Sequence, residues 1–420
     1  MPIVDVVSRS GMRRPFDLIV FGATGFTGRL VAEYLHTTYG VGGRLSWALA
    51  GRSLARLEQV RHELGAGEAL PLLVADAGDA RSLSRLVGQA RVIITTVGPY
   101  QLHGQALVIA CAQAGTDYVD LCGEPAWMAA MIPELQAPAQ RSGARIVFSC
   151  GFDSIPFDLG VLFLQQHARE TLGVPLQRVR GRVKVMKGGI SGGTLASALA
   201  TFEAIGRDPA VARTMADPFA LTPGFRGPMQ PDGDGAAWDE LAQAWTGPFV
   251  MATINTKNVH RTNALRGHPW GEDFEYDERM LARNEWHARG MARTARLQNA
   301  MLGVGPLRRV LGRFVLPQPG SGPNAQQREQ GRYELLFAGA TRDGRVLRAT
   351  VNGDRDPGYG STAKMISESA LCLLGDVDRA MTRGGVWTPG GAMGMALVRR
   401  LQAHAGLSFS IDPLPTRTPA

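Results

Sequence analysis

The chain has little cysteine. Cys111, Cys122, Cys150 and Cys372 are the four cysteines in 420 residues, and no two of them form a Cys-x-x-Cys pair. That argues against a zinc site and a disulfide framework, and points to free thiols in a reducing cytoplasm. No metal is expected. Long apolar runs are also missing, so no segment reads as a bilayer span. The N-terminal stretch MPIVDVVSRSGMRR has no long apolar core of a secretion signal and reads as a loose tail. No internal repeat or low-complexity tract is visible. The formal charge is +8, but the arginines are scattered and no nucleic-acid module accompanies them, so no nucleic-acid partner is expected. With 45% hydrophobic and 20% charged residues, the composition is that of a folded soluble protein. A chain of 420 residues exceeds one ordinary core, which predicts two domains.

Acidic residues are absent from two informative places. From Trp286 to Arg328 there is neither Asp nor Glu, while Arg289, Arg293, Arg296, Arg308, Arg309, Arg313 and Arg328 alternate with apolar residues. Such a basic amphipathic segment suits an anionic surface, either a membrane approached peripherally or an acidic carrier protein. A buried helix with a solvated arginine face is the alternative. The second gap is at the end of the predicted second strand, LSWALAGR, where Arg52 and Ser53 stand in place of an acid.

That second gap matters because of what precedes it. Phe16 to Gly28 reads FDLIVFGATGFTG, an apolar strand running into Gly22, Gly25 and Gly28 and then an amphipathic helix. The first glycine permits a tight turn, the second a close approach of backbone to pyrophosphate, the third close packing of helix on strand. The helix N-terminus offers free N–H groups to phosphate. Gly22, Ala23, Thr24, Gly25, Phe26, Thr27 and Gly28 are therefore candidate cofactor-binding residues. An acid after the second strand would select the ribose 2′-hydroxyl of NAD; Arg52, with Ser53, suits the 2′-phosphate of NADP. An ordinary surface arginine opening the next helix is the other reading.

Strand patterns fit 16–23, 45–52, 70–76, 90–98, 117–122 and 144–150, with helical patterns between them. This alternation predicts a Rossmann-type doubly wound parallel sheet over residues 14–151. Asp76 ends the third strand, near the expected adenine or in a helix cap. Val97, Gly98, Pro99 and Tyr100 end the fourth strand, on the switch-point side.

The pattern changes after residue 151. Gln177–Lys187 alternates valine with arginine and lysine, which predicts a half-buried strand with a wet basic face. Phe249–Asn255, Arg332–Gly339 and Arg345–Asn352 also read as strands, the last two joined by a turn at Thr341–Gly344. Residues 152–355 are thus expected to form a second, mixed α/β domain with a largely antiparallel sheet. LPQPGSGPNAQQREQG reads as a long loop, and Ser361 to about His404 as helix.

Several stretches together resemble the saccharopine-dehydrogenase-like superfamily. They are GATGFTG at Gly22, GPYQLHG at Gly98, GTDYVDLCGE ending at Glu124, GFDSIPFDLG at Gly151, SGGT at Ser191 and DPGYGSTAKM at Asp356. That last stretch and GGVWTPGGAMG at Gly384 resemble its trans-acting enoyl reductase branch. The resemblance spans nearly the whole chain. It implies C-terminal helices, about 356–405, that return to the first domain. It also implies NADP-dependent reduction of a carbon–carbon double bond in an acyl chain held by a partner synthase. An amino-acid or imine oxidoreductase, and a lipid-associated protein with a vestigial nucleotide site, are the competing functions.

Enoyl reduction requires a hydride source, a donor for the enolate oxygen and a proton for the α-carbon. No Tyr-x-x-x-Lys pair of short-chain reductase type stands at the expected place. Tyr359 and Lys364 are five apart, too far for one helical face, with a glycine between them. Tyr359, Lys364 and Tyr100 are the candidate catalytic residues. Asp120, Glu124, Asp153 and Ser154 at other strand ends are further candidates, with capping or turn roles as the alternative.

Overall fold

The computed structural model of the protein describes residues 14–188, 192–305 and 322–413. One arm of the first half runs β1 (Phe16–Phe21), α1 (Phe26–Tyr39), β2 (Trp47–Gly51), α2 (Leu54–Glu63), β3 (Leu72–Val74) and α3 (Ala80–Val87). The chain then returns through β4 (Ala90–Thr95), α4 (Tyr100–His103), α5 (Gln105–Ala114), β5 (Asp117–Val119), α6 (Pro125–Ser142) and β6 (Arg145–Val147). These strands lie in the order β3-β2-β1-β4-β5-β6, all parallel. Leu18, Ile19 and Val20 of β1 are fully buried, as expected for a strand covered by helices on both faces. Strand order reverses between β1 and β4, so the ligand crevice of such a sheet opens at their carboxyl ends.

Helix α7 (Ile155–Leu172) carries the chain to the second sheet. There follow β7 (Arg178–Lys187), α8 (Gly192–Arg207), α9 (Pro209–Ala216), β8 (Ala237–Asp239), β9 (Ala244–Pro248), α10 (Ala252–Leu265) and β10 (Glu275–Ala282). Then come α11 (Glu285–Gly303), α12 (Ala325–Glu329), β11 (Arg332–Ala340) and β12 (Val346–Gly353). Beyond a π-helical turn at Pro357–Ser361 lie α13 (Thr362–Gly375), β13 (Gly385–Trp387), α14 (Pro389–Ala392), α15 (Gly394–Arg400) and β14 (Leu407–Ile411). The second sheet runs β14-β12-β11-β7-β10-β9-β8, antiparallel except for β7 beside β10. Its apolar face rests on α7, where Phe157 meets the rings of Phe249 at 5.5 Å and Phe337 at 6.4 Å. A Cβ on Gly160 would fall 2.4 Å from the Phe337 ring, so only glycine allows this approach of helix to sheet.

Four expectations are corrected. The far face of β7 is not uniformly wet: Arg178 and Lys184 are exposed, but Arg182 is 2% exposed, bound to Asp239 and, at 3.0 Å, to Asp277. Arg279 also reaches Asp277, at 3.2 Å, and donates to the carbonyls of Asp232 and Gly235. The segment around β8 thus covers this face with its own acids and carbonyls. Phe249–Asn255 is no strand; strand β9 ends at Pro248, and α10 begins at Ala252. The β-branched residues there are the first turn of a helix whose polar side chains are buried by tertiary contacts. The loop expected at 316–331 contains α12, fixed by a capping box between Asn324 and Gln327; 306–321 lies outside the described residues. The C-terminal part is not all helix. β13 extends the parallel sheet beside β6, and β14 extends the second sheet beside β12.

Helix α13 packs along α1 and against β4. Its Glu368 is fully buried and accepts hydrogen bonds from Tyr34 and Tyr39, both at 2.6 Å, and from Arg400 Nε at 2.5 Å. Arg400 also binds Asp376 at 2.7 Å. Removing one partner of a buried ion pair strands the other, so Glu368→Ala should lower stability by about 3–5 kcal/mol. Urea unfolding followed by circular dichroism measures this. A loss below about 1 kcal/mol would mean that the C-terminal segment is held by other contacts.

Candidate active site

The glycine turn has the geometry its sequence predicts. Gly22 adopts φ +89°, and a Cβ there would lie 2.8 Å from Val97 Cγ2. Gly25 is exposed and begins α1; no side chain caps that helix and no acid stands in its first turn. Its N–H groups are left to an anion. A Cβ on Gly28 would lie 2.2 Å from the Gly22 carbonyl oxygen, so this glycine is required by packing. Ala23 donates its N–H to Ala50 O at 3.2 Å, which ties the turn to β2, while Thr24, Phe26 and Thr27 stay half-buried. Arg52 follows β2, is exposed, and has no protein partner among the described residues. Ser53 instead caps α2 by accepting from Arg56 N–H at 3.4 Å. Asp76, after β3, is exposed and its carboxylate takes the Gly78 N–H at 2.9 Å. The cradle of glycine backbone and the unpaired guanidinium fit a dinucleotide with a 2′-phosphate.

Val97 is half-buried and Gly98 exposed beside this turn, and the Gly98–Pro99 peptide is cis. Tyr100 has a structural task. Its hydroxyl donates to Thr95 O at 3.2 Å and accepts from Leu121 N–H at 3.0 Å, joining the ends of β4 and β5. Burial, reinforced by Asp120, pushes this phenol well above its ordinary pKa. Glu124 accepts the N–H groups of Tyr100 at 2.9 Å and Gln101 at 2.8 Å, plus the Ser197 hydroxyl at 2.7 Å. It anchors α4 and α8 to the end of β5. Asp120 is fully buried; burial pushes it up to about 7, against bonds from Cys122 N–H, Ser149 N–H and the Tyr118 hydroxyl.

Tyr359 is brought to the glycine turn from the other end of the chain. Its ring stands edge-on to Phe26, centroids 4.5 Å apart, and Arg328 lies 5.8 Å from that same Phe26 ring. The turn is set by Asp356, whose carboxylate accepts from the N–H groups of Tyr359 at 3.0 Å and Gly360 at 2.9 Å. An aspartate before Pro-Gly is the sequence signal for this turn. Lys364, one turn into α13, lies 3.9 Å from Asp354. Residues 189–191 of the Gly-rich stretch 188–194 fall outside the described residues, as do Arg308, Arg309 and Arg313. In the described part of the basic segment, α11 buries only Ala288 and Ala292 and exposes Trp286 and Leu297, with Arg289, Arg293 and Arg296.

Fold and crevice together define a nicotinamide-dinucleotide oxidoreductase of Rossmann type. The saccharopine dehydrogenase NADP-binding domain model matches residues 18–147. A Mycobacterium tuberculosis protein provisionally named a trans-acting enoyl reductase is 41% identical over 416 residues, covering 96% of this chain and 98% of its own. Trans-acting enoyl reductases of Mycobacterium bovis and Mycobacterium ulcerans are 39% and 38% identical, each over 93% of this chain and 97% of theirs. The chain belongs to the saccharopine-dehydrogenase-like superfamily, in its trans-acting enoyl reductase branch, and its first domain is of the NADP-binding type.

Two glycine variants separate packing from binding. Gly25→Ala places a Cβ 3.3 Å from Gly22 O, a contact that a small shift relieves. It should leave the melting temperature within a few degrees yet weaken NADPH binding at least tenfold. Gly28→Ala should cost about 1–3 kcal/mol of stability through overpacking. Thermal melts with and without NADPH distinguish the two; an unchanged NADPH-induced shift in Gly25→Ala would remove the turn from the cofactor site.

Proposed function

We propose that this protein is an NADPH-dependent enoyl reductase that acts in trans on an acyl thioester carried by a partner synthase. Residues 14–151 would hold the cofactor, and 152–355 the substrate. The observation that carries the reading is identity of about 40% along nearly the whole chain to trans-acting enoyl reductases. When bound, NADPH supplies the hydride. Gly22–Gly28 and the N-terminus of α1 would hold its pyrophosphate, Arg52 and Ser53 its 2′-phosphate, Asp76 its adenine end, and Val97–Tyr100 the side nearest the chemistry. Tyr359 would supply a hydroxyl near the glycine turn, with Lys364 behind it.

The chain's own surface supports an acyl substrate. Helix α8 is apolar, yet Leu199, Phe202 and Ile205 are only half-buried, and Ser197 fixes this helix to Glu124 at the strand ends. An apolar helix left half-open beside the crevice offers a wall to an acyl chain. An imine substrate with several carboxylates would call for unpaired arginines, and Arg182 and Arg279 of the second sheet, buried and bound to acids, do not offer them.

The direct experiment is NADPH oxidation with a panel of enoyl thioesters, free and carrier-bound. NADPH should bind at least tenfold tighter than NADH, since guanidinium–phosphate bonds contribute about 1.5–3 kcal/mol. Arg52→Ala should erase most of that preference in a fluorescence titration; equal affinities in the unmodified protein would refute the assignment. Charge reversal of Arg293 and Arg296, both exposed on α11, should reduce turnover of a carrier-bound substrate several-fold. Turnover of a small soluble thioester should not change. Added salt should mimic the reversal.

A further inference from the structure

We infer that Asp153 is the proton donor of the reduction, its carboxyl placed to protonate the α-carbon of the acyl chain. The inference rests on the enoyl-reductase reading above. Asp153 lies in the turn between β6 and α7, at the carboxyl edge of the parallel sheet. Gly151 presses this turn against neighbouring elements: a Cβ there would lie 2.9 Å from Leu121 Cδ2 and 3.2 Å from Thr362 Cγ2. Phe152 donates its N–H to Thr362 Oγ1 at 3.0 Å, and its ring packs on Tyr333 and Phe157 at 4.7 and 5.7 Å. Ser154 receives a hydrogen bond from Asn258 at 2.6 Å. Both neighbours of Asp153 are therefore fixed. Thr362 directly follows the turn whose Tyr359 lies on Phe26, so the Asp153 turn stands where the strand ends meet the C-terminal turn.

The carboxyl itself accepts no hydrogen bond from the described residues. The other acids of this region do: Asp120 and Glu124 are satisfied as described, and Asp158 takes the Gly390 N–H at 2.7 Å. Asp153 is partly buried, between two buried neighbours, Phe152 and Ser154. Burial pushes its pKa up to about 6, and no charged neighbour contributes. The charged groups on the packed elements are engaged elsewhere. Lys257 and Arg261 of α10 donate to the carbonyls of Met215 and Leu221, Glu278 of β10 bonds Asn255 and Tyr276, Asp356 holds its own turn and Lys364 faces Asp354. A carboxyl with that pKa is a competent acid near neutrality.

The step balances. Bound NADPH would supply the hydride that adds at the β-carbon and would be left as NADP+, the alkene electron pair passing to the thioester carbonyl as an enolate. The Asp153 O–H bond then breaks, its proton forms the C–H bond at the α-carbon, and solvent restores the proton to the carboxylate.

Asp153→Asn keeps the shape and removes the proton. It should lower kcat by about 10²–10⁴ with NADPH affinity and melting temperature unchanged. The unmodified protein should show kcat/KM falling above about pH 6 and solvent deuterium entering one face of the α-carbon; the variant should lose both features. Independently of turnover, carboxyl NMR of protein labelled with ¹³C-aspartate should show a resonance titrating near 6 that is missing from Asp153→Asn. Activity of the variant within threefold, or an Asp153 resonance fully ionised above pH 4.5, overturns the inference while leaving the enoyl-reductase reading intact. If the unmodified protein reduces no enoyl thioester, that reading falls, and the inference falls with it.

Discussion

The buried carboxylate of Glu368 joins the two ends of this fold. A carboxylate at zero exposure requires donors, and it finds them on Tyr34, Tyr39 and Arg400, from α1 and α15. No two of these elements are neighbours in sequence. The cluster can form only when the C-terminal segment crosses the first helix, and that crossing brings Tyr359 onto Phe26 in the glycine turn. A second buried pair works at the opposite end of the sheet. Asp117 binds Arg145 at 2.5 Å and Arg379 at 2.8 Å, which holds the segment leading to β13 beside β6. The cofactor crevice is thus walled by residues more than 300 positions apart, and its shape depends on two desolvated charge clusters as much as on its glycines.

What the sequence made legible follows from this. The parallel sheet, the glycine turn and the hairpin at Thr341–Gly344 each obey a local rule, because each is set by backbone conformation or by apolar strands between helices. Gly344 is at φ +86° as such a turn requires. Helix α10 was illegible for the opposite reason. Asn255, Lys257, Asn258, His260, Arg261 and Asn263 are all buried there, so no apolar stripe marks a helix. Their burial is affordable only through contacts from remote elements, such as Asn255 with Glu278 at 2.9 Å and Arg261 with Val386 O at 2.7 Å. Arg182 misled in the same way: its alternation with valine signals a strand, but a partner 57 residues away decides whether its face is wet. Strand β13 is only three residues long and owes its existence to an open sheet edge.

The candidate site was legible in part, and the division is physical. Cofactor residues show in sequence because phosphate recognition uses backbone, and backbone demands glycine at fixed spacing. Catalytic side chains carry no such mark. Tyr100 stands at the right strand end, yet both hydrogen-bonding roles of its hydroxyl are taken by Thr95 and Leu121. Nothing in the sequence separates it from a tyrosine whose hydroxyl is open to substrate.

The acids at these strand ends make the same point from the energetic side. Asp120 and Glu124, which follow β5, are fully buried, Asp153, which follows β6, is only partly so, and their partners differ. Three donors hold Asp120 and three hold Glu124, so these two fix the ends of β5, α4 and α8 in register. A group left without a protein partner is stabilised by nothing in the fold, so the fold alone gives no reason for its charge. That asymmetry orients the crevice. Its satisfied side, through Ser197, carries the apolar wall of α8. Its other side, at Asp153, adjoins the C-terminal turn through the bond from Phe152 N–H to Thr362 Oγ1. On the enoyl-reductase reading proposed above, an acyl chain lying along α8 would run toward strand ends at which, among the described residues, Asp153 is the carboxyl that accepts no hydrogen bond.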